Sequence, residues 1–600
     1  MRKRLIILFT IISISSVLAQ QDERLIGLEK ELNEILEVTK TPGFTVAIVE
    51  GKKIIYAKGF GYRDFENKIS ADANTLYAIG SSSKAFTSSI LGQLRQEDKI
   101  SFEESPIKYI PDLKFYNDEM NNNIIIKDLM SHRTGLPRHD YSWYLFPTNN
   151  KDSLLLRVEY QEPFIGVREQ WYYNNFMFLA QGVIAERITD ESWEENIKNR
   201  FFEPLDMTRS NVSIEELEKS SNAAIGYELK KDSIISRMDY YHIAGMSPAG
   251  SINSSVNEMS NWLITWINKG KFKGKQILPE AYINEAISSQ MVIGAGLPDK
   301  EFPDMHLSNY GYAWFLSSYR GHYRVQHGGN IDGFSANVAF FPSDSIGVVV
   351  LTNQNGSAVP SLVRNTVADR MLKTQKTDWS KRFTERKLKA KKEEDEAKTE
   401  TTSSKIENTN PSHILPNYIG KYSNPGYGEF NISNQNDSLF ANFKLKTLYL
   451  KHVHYDIFEP FEVTKTGIDT TDNGPLRLNF ITNDGGEISL VKMKVEGALD
   501  HPIEFKHKPN VIDVDKATLE RYVGDYELSG TVIKVYIKNK NKLYVFVAGQ
   551  PEYELLATDK HKFSFKTLEG FKVEFVESDG KSINEIKLIQ PNGTFKATRK

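Results

Sequence analysis

Residues 80–96 read GSSSKAFTSSILGQLRQ, three serines directly ahead of a lysine and then apolar, helix-compatible sequence. A serine hydroxyl is a poor nucleophile until a base takes its proton, and a lysine can be that base only when desolvation or a neighbouring charge lowers its pKa. On a helix, residues three or four apart share a face while neighbours diverge, so the serine able to work with Lys84 is Ser81. Gly80 before it and the helix after it would set Ser81 at a helix N-terminus, where free backbone N–H groups help hold an oxyanion. The spacing alone is weak, because Ser105–Lys108, Ser489–Lys492 and Ser578–Lys581 repeat it. None of those three opens a long apolar helix, and the first contains a proline. A plain N-cap role is the alternative reading of Ser81.

Two further stretches carry groups that such a serine would use. One is QWYYNNFMFLAQGVIAE at 170–186; the other is RVQHGGNIDGFSANVAFFP at 324–342, a histidine and paired glycines followed by a strand-like run. Together with Ser81-x-x-Lys84 they resemble the serine beta-lactamase and penicillin-binding-protein-like superfamily, in the class C-related branch of D-aminopeptidases, carboxylesterases and related acyl hydrolases. That family is marked by Ser-x-x-Lys, Tyr-x-Asn and a Lys/His-x-Gly strand in this order, and the resemblance spans roughly residues 24–372. IKDLMSHRTGLP at 126–137, FFEPLDMTRS at 201–210 and SPAGSINSSVNEMSNW at 247–262 are similar to its scaffold segments. No Gly-x-Ser-x-Gly elbow is present, which disfavours an α/β-hydrolase.

The second motif fits two frames, Tyr172-Tyr173-Asn174 and Tyr173-Asn174-Asn175; the second is preferred because Gly182 and Glu186 then fall as in similar family members. The resemblance implies that Ser81 attacks the acyl carbonyl, that Lys84 and Tyr173 together shuttle its proton, that Asn175 orients the lysine or the substrate, and that His327 supports the tyrosine and bound substrate. It also implies an oxyanion hole from the backbone N–H groups of Ser81 and Asn330, with Gly328 and Gly329 beside the substrate, no cofactor and no metal. The third motif departs from the Lys-Thr-Gly of true beta-lactamases, since His327 and Gly328 stand there. The expectation therefore shifts from beta-lactams towards peptides, amides or esters, with His327 as a merely structural histidine the other reading. A sensor that is acylated without turnover, and an acyltransferase, remain as alternatives.

The elements that must position these groups are expected in an α+β catalytic domain over 24–372, an antiparallel sheet flanked by helices. PGFTVAIVEGKKIIYAKGFGYRD supplies a hairpin, Phe44–Val49 turning at Glu50-Gly51 into Ile54–Tyr56. Residues 373–412, with KRFTERKLKAKKEEDEAK, read as a charged linker or solvated helix. LPNYIGKYS at 415–423 is echoed by LERYVGDYELS at 519–529, and short alternating runs follow each, so two small all-β units are expected at 413–510 and 513–600. They resemble the lipocalin-like domains that trail exported family members, where such a domain often caps or shapes the active site. His452 and His454, with Asp456, share a strand face that would suit a metal, although the histidine-rich strand recurs in those domains without one. The aromatic loop RHDYSWYLFP at 138–147 reads equally as the wall of an acyl pocket or as surface packing.

Composition bounds the partners. Of 600 residues 26% are charged with a formal net charge of -3, mixed along most of the chain, so no basic footprint for nucleic acid exists. MRKRLIILFTIISISSVLAQQDE reads as a signal peptide over 1–19, cut after Ala19, which predicts an exported, periplasmic or extracellular protein without stable membrane insertion. An uncleaved anchor is the alternative. Cysteine is absent, which removes disulfides, a lipid-anchor cysteine and a cysteine nucleophile. A small-molecule or peptide substrate is the expected partner.

Overall fold

The computed structural model describes residues 22–294, 296–400, 405–465, 467–470, 476–508, 511–539, 541–568, 570–578 and 582–600, and the expected leader at 1–19 lies outside them. Among the described residues no helix is long and apolar enough to cross a membrane.

The hydrophobic run FTVAIV forms the strand Gly43–Glu50, and its alternate side chains serve two cores. Phe44, Val46 and Ile48 pack against the helices Leu28–Thr39 and Val359–Met371, whereas Ala47 and Val49 join the larger cluster on the opposite face. A strand covered on both faces must be apolar at every position, which is why no polar alternation shows here. Gly43–Glu50 pairs antiparallel with Lys53–Asp64, as the turn signal predicts, and with Ile346–Thr352 near the end of the domain. The result is a nine-stranded antiparallel sheet. Beyond Ile346–Thr352 it continues through Phe334–Phe341 and His322–Ile331 to Phe315–Tyr319.

The larger cluster holds the helices Lys84–Gln96, Phe176–Thr189 and Val256–Ile267. Their packing is close. Phe86 stacks on Trp262 with ring centroids 3.9 Å apart, and a Cβ at Gly92 would stand 2.5 Å from the Tyr282 ring. Helices on both faces of an antiparallel sheet make the beta-lactamase-like α/β sandwich that the resemblance implies.

The charged segment is helical over Trp379–Glu400, and its start is anchored: Trp379 stacks on Phe302 and donates Nε1–H to Asp369 at 2.8 Å. Beyond it lie two all-β units. In the first, Gly420–Asn424 pairs with Ile503–Lys508 and Thr447–His454 with Ile457–Thr464, which closes eight strands into a barrel, Gly467–Asp469 adding to its edge. The second is an eight-stranded closed barrel from Gly524–Leu528 to Gly593–Arg599. Aromatic and aliphatic side chains fill both interiors.

The sequence echo has a structural cause. Tyr422 donates its hydroxyl to the Tyr418 carbonyl at 2.9 Å, and Tyr526 donates to the Tyr522 carbonyl at 3.0 Å. His452 and His454 do not share a ligand set with Asp456. The ladder slips between the two histidines, His452 bonds the Tyr455 carbonyl, and Asp456 accepts from Tyr418 and Ser412. Among the described residues no group of three or more His, Asp or Glu is placed to hold a metal ion.

Candidate active site

Ser81 sits in a single 3-10 turn, Gly80–Ser83, that runs straight into the helix Lys84–Gln96. The neighbouring serines are fixed by structural bonds. Ser82 Oγ donates to the His327 carbonyl at 3.3 Å, while Ser83 Oγ donates to the Gly80 carbonyl and accepts from the Ile252 amide. No side chain caps the start of the helix. Ser81 alone of the three is half-buried and faces the cleft.

Lys84 is fully buried, and its Nζ has three oxygens around it: Ser81 Oγ at 3.1 Å, Asn175 Oδ1 at 2.7 Å and the Ala249 carbonyl at 2.8 Å. Burial drives its pKa well below the ordinary lysine value, the Arg138 charge adds to the drop and Asp140 opposes it. A neutral amine has two N–H donors and one lone pair. Carbonyl oxygens only accept, so Asn175 and Ala249 take the two hydrogens and the lone pair is left for the Ser81 hydroxyl proton.

Tyr173 shows the opposite shift. Its hydroxyl is buried beside Ser81, and burial raises its pKa well above the usual phenol range, with the Ser81 hydroxyl and the Arg138 charge opposing. Lys84 Nζ and the Arg138 guanidinium each lie 4.8 Å from the centroid of its ring. Two groups on one serine with pKa values pushed apart divide the roles of base and acid. The arrangement suits Lys84 to accept a proton from Ser81 and Tyr173 to donate one.

The structure brings Tyr173 and Asn175 together at Lys84, while Tyr172 lines both lobes of the cleft. Asn174 donates to the Pro137 carbonyl and Tyr172 packs on Phe164. Asn175 also donates Nδ2–H to Asp140 Oδ1 at 2.8 Å; Asp140 accepts from Trp143 Nε1 at 2.9 Å and pairs with Arg138 at 2.5 Å. Arg138 and Asp140 are site-lining residues that the sequence does not single out, although both stand in the quoted loop at 138–147. Their signal was two opposite charges inside an aromatic stretch. His132 was missed as well. It packs 4.4 Å from the Tyr173 ring and accepts from the Asn174 amide, and burial holds it neutral.

His327 is buried on the strand His322–Ile331. Its Nδ1 donates to the Gly328 carbonyl at 2.6 Å, which leaves Nε2 to accept from the Tyr310 hydroxyl at 3.0 Å. Burial and the Lys84 charge lower its pKa to about 3. With Tyr173 it shares ring packing only, 6.3 Å between centroids.

The same strand is pressed onto the Ser81 turn. A Cβ on Gly329 would lie 1.9 Å from the Ile79 carbonyl oxygen and 3.1 Å from the Ser81 amide nitrogen; one on Gly80, whose φ is +51°, would lie 2.9 Å from the Asn330 amide nitrogen. The Ser81 amide therefore lies close to Gly329 and the Asn330 amide close to Gly80, with strand and turn in near contact. Gly329 serves the close approach, whereas Gly328 has space around it and lines the cleft.

Two lobes meet at Ser81. One, about 760 Å³, runs along His327, Gly328, Trp171 and Phe315. The other, about 510 Å³, is walled by Trp143, Tyr144 and Tyr241 and is closed by Val495–Gly497 of the first barrel. In the loop at 138–147, Trp143 and Tyr144 face the lobe, whereas Leu145 and Phe146 bury in the barrel core.

A family model described as Beta-lactamase matches residues 28–372, more than half of the chain, and one described as a domain of unknown function (DUF3471) matches 404–507. "Protein flp" of Staphylococcus aureus (strain N315) is 26% identical over 340 residues, 56% of this chain and 65% of that protein. The chain thus spans less than two thirds of that relative's length. "Unguisins hydrolase ungD'" of Aspergillus campestris (strain IBT 28561) is 25% identical over 444 residues, 70% of this chain and 81% of that protein. Among solved structures, the octameric penicillin-binding protein homologue from Pyrococcus abyssi shares the fold with a TM-score of 0.54 at 21% identity, over 80% of this chain and 100% of that one.

Proposed function

Because the chain belongs to the beta-lactamase family, we propose that it is an exported serine hydrolase that cleaves peptide, amide or ester bonds through an acyl-enzyme on Ser81. The observation that carries this reading is the Lys84 amine, buried, lowered in pKa, bonded to two carbonyl oxygens and 3.1 Å from Ser81 Oγ. The neutral amine takes the hydroxyl proton as Oγ bonds to the substrate carbonyl carbon. The carbonyl oxygen gathers negative charge between the Ser81 and Asn330 amides, each such donor being worth about 10²–10³-fold. As the tetrahedral intermediate collapses, the Tyr173 hydroxyl protonates the leaving amine or alkoxide and recovers a proton from Lys84. Water then adds to the acyl carbon by the reverse route and releases the acid.

His327, neutral and bonded to Tyr310 and Gly328, offers no charge to a substrate carboxylate. Arg138, the cation of the cleft, is already paired with Asp140. This supports weak or no beta-lactam turnover.

The test is intact-protein mass spectrometry after a fluorophosphonate, and separately a penicillin, with turnover of p-nitrophenyl esters and D-alanine p-nitroanilide. A fluorophosphonate adduct and turnover that are lost in Ser81→Ala, the latter by at least about 10³-fold, support the reading. A penicillin adduct that persists without hydrolysis of any substrate favours the sensor alternative, and neither adduct nor turnover in the wild type overturns the proposal.

A further inference from the structure

The 510 Å³ lobe beside Ser81 contains a carboxylate that the proposed chemistry does not use. Asp332 stands at the tip of the hairpin formed by His322–Ile331 and Phe334–Phe341, two residues beyond the Asn330 amide, roughly 6–7 Å along an extended chain. It is half-buried, and the hydroxyl of Tyr144, at 3.1 Å and 3.2 Å from its two oxygens, is its hydrogen-bond donor. Among the described residues no cation comes within ion-pairing distance: Lys446, whose Nζ lies 5.8 Å from the Tyr144 ring centroid, pairs with Glu462 instead. Burial raises the pKa of Asp332, against the Tyr144 bond and the Lys446 charge. Desolvating a carboxylate without a cation is costly, and it persists where something else supplies the charge.

The rest of the lobe points the same way. Its charged side chains are Arg138, Asp140, Asp332 and Glu496, so the Arg138–Asp140 pair cancels and two negative charges remain. Glu496 is spoken for, since one of its oxygens accepts from the His139 amide at 2.7 Å and the other from Ala498 at 3.1 Å. Asp332 is left free on one side. Tyr144 and Tyr241 stack 4.9 Å apart, and Trp143 stands edge-on to both, which gives the lobe electron-rich walls. Aromatic faces beside a carboxylate attract an organic cation.

We propose that this lobe selects substrates that carry an ammonium group about one residue away from the scissile carbonyl, held by Asp332 against Trp143, Tyr144 and Tyr241. The proposal rests on the Ser81 hydrolase reading for its placement of the carbonyl. The ammonium can come from a chain terminus or from a basic side chain, and both present the same chemistry to Asp332.

The test compares three p-nitroanilides, of D-alanine with its free amine, of Nα-acetyl-D-lysine and of Nα-acetyl-D-norleucine, on the wild type and Asp332→Asn. The wild type is expected to favour one of the two cationic compounds over the neutral one by tenfold or more in kcat/KM, and which of the two it favours identifies the source of the ammonium. In Asp332→Asn that cationic-to-neutral ratio is expected to fall by tenfold or more, mainly through KM, whereas damage to the fold would lower all three rates and keep the ratio. Titration calorimetry of D-alanine amide, Nα-acetyl-D-lysine amide and Nα-acetyl-D-norleucine amide into Ser81→Ala and Ser81→Ala/Asp332→Asn gives the same comparison without turnover. A preference for the cation that survives loss of Asp332, or no preference in either experiment, overturns the inference. Loss of all turnover with the binding preference intact instead overturns the hydrolase reading.

Discussion

At the scale of the residue, burial favours the uncharged form of the Lys84 amine, the form that can take a proton from Ser81. Arg138 lowers the pKa of Lys84 and Asp140 raises it, so replacing the arginine removes the first influence and frees the second. Arg138→Gln is therefore expected to move the acid limb of the kcat/KM profile to higher pH, because the base is active only above its pKa. A pH–rate series on the two proteins checks this, and an unmoved limb would assign the titration elsewhere. His327 bears on stability instead. Its folded pKa of about 3 lies below the unfolded value of 6.5, so the unfolded chain binds more protons between those pH values and stability falls as pH drops through that window. From pH 6.5 to pH 4 the loss is at most about 3 kcal/mol. His327→Gln should lose less stability over that range in denaturant titrations. The Ser81–Lys84 spacing was legible because one helical turn fixes it locally. Arg138 and Asp140 were not, because only the path of a loop over Tyr173 and Asn175 gives those two charges a role.

At the scale of the element, the strand His322–Ile331 and the Ser81 turn must nearly touch for two backbone amides to share one oxyanion. Gly329 permits the approach. Gly329→Ala would force its methyl onto the Ile79 carbonyl and separate strand from turn, so turnover is expected to fall by about 10²-fold or more. Gly328→Ala meets no atom closer than 3.5 Å and should cost far less, which makes it the control. Circular dichroism separates lost catalysis from lost fold, and equal damage in both variants would contradict the close-approach argument. The glycines were visible in sequence as neighbours of a histidine, and the resemblance placed them beside substrate. That Gly329 packs on backbone while Gly328 faces the cleft follows from strand alternation against a turn nearly 250 residues earlier in the chain, and no local pattern carries that. The hairpin at 43–64 and the tyrosine echo were legible for the converse reason, since turn chemistry and repeated residues are local.

At the scale of the whole molecule, the first barrel lines the smaller lobe beside Ser81 through Val495–Gly497. It grips the loop at 138–147 from both ends: the Glu496 carboxylate and the Tyr427 hydroxyl hold His139, Ser142 donates to the Gly426 carbonyl, and Phe146 packs among Phe430, Phe443 and Phe505. Between those grips lie Asp140, which orients Asn175, and the aromatic wall of the smaller lobe. A barrel of dense, filled interior is a stiff support, and it adds to the catalytic-domain bonds on the same loop, from Arg157 to the Ser142 and Phe146 carbonyls and from Tyr241 to the Trp143 carbonyl. The second barrel makes no such contact, for none of its described residues lines either lobe. Two truncations separate the roles. Ending the chain at residue 508 is expected to leave kcat/KM for p-nitrophenyl esters within about twofold, whereas ending it at residue 400 uncovers Leu145 and Phe146 and should reduce turnover by about 10²-fold, as misplacement of a positioning loop does. Phe146→Ala in the full chain is the milder form of the second cut: it removes a buried aromatic worth about 3–5 kcal/mol locally and should raise KM for bulky acyl groups more than for acetyl. Equal activity of the two truncated chains would show that the loop holds its shape without the barrel, and the smaller lobe would then be a property of the catalytic domain alone.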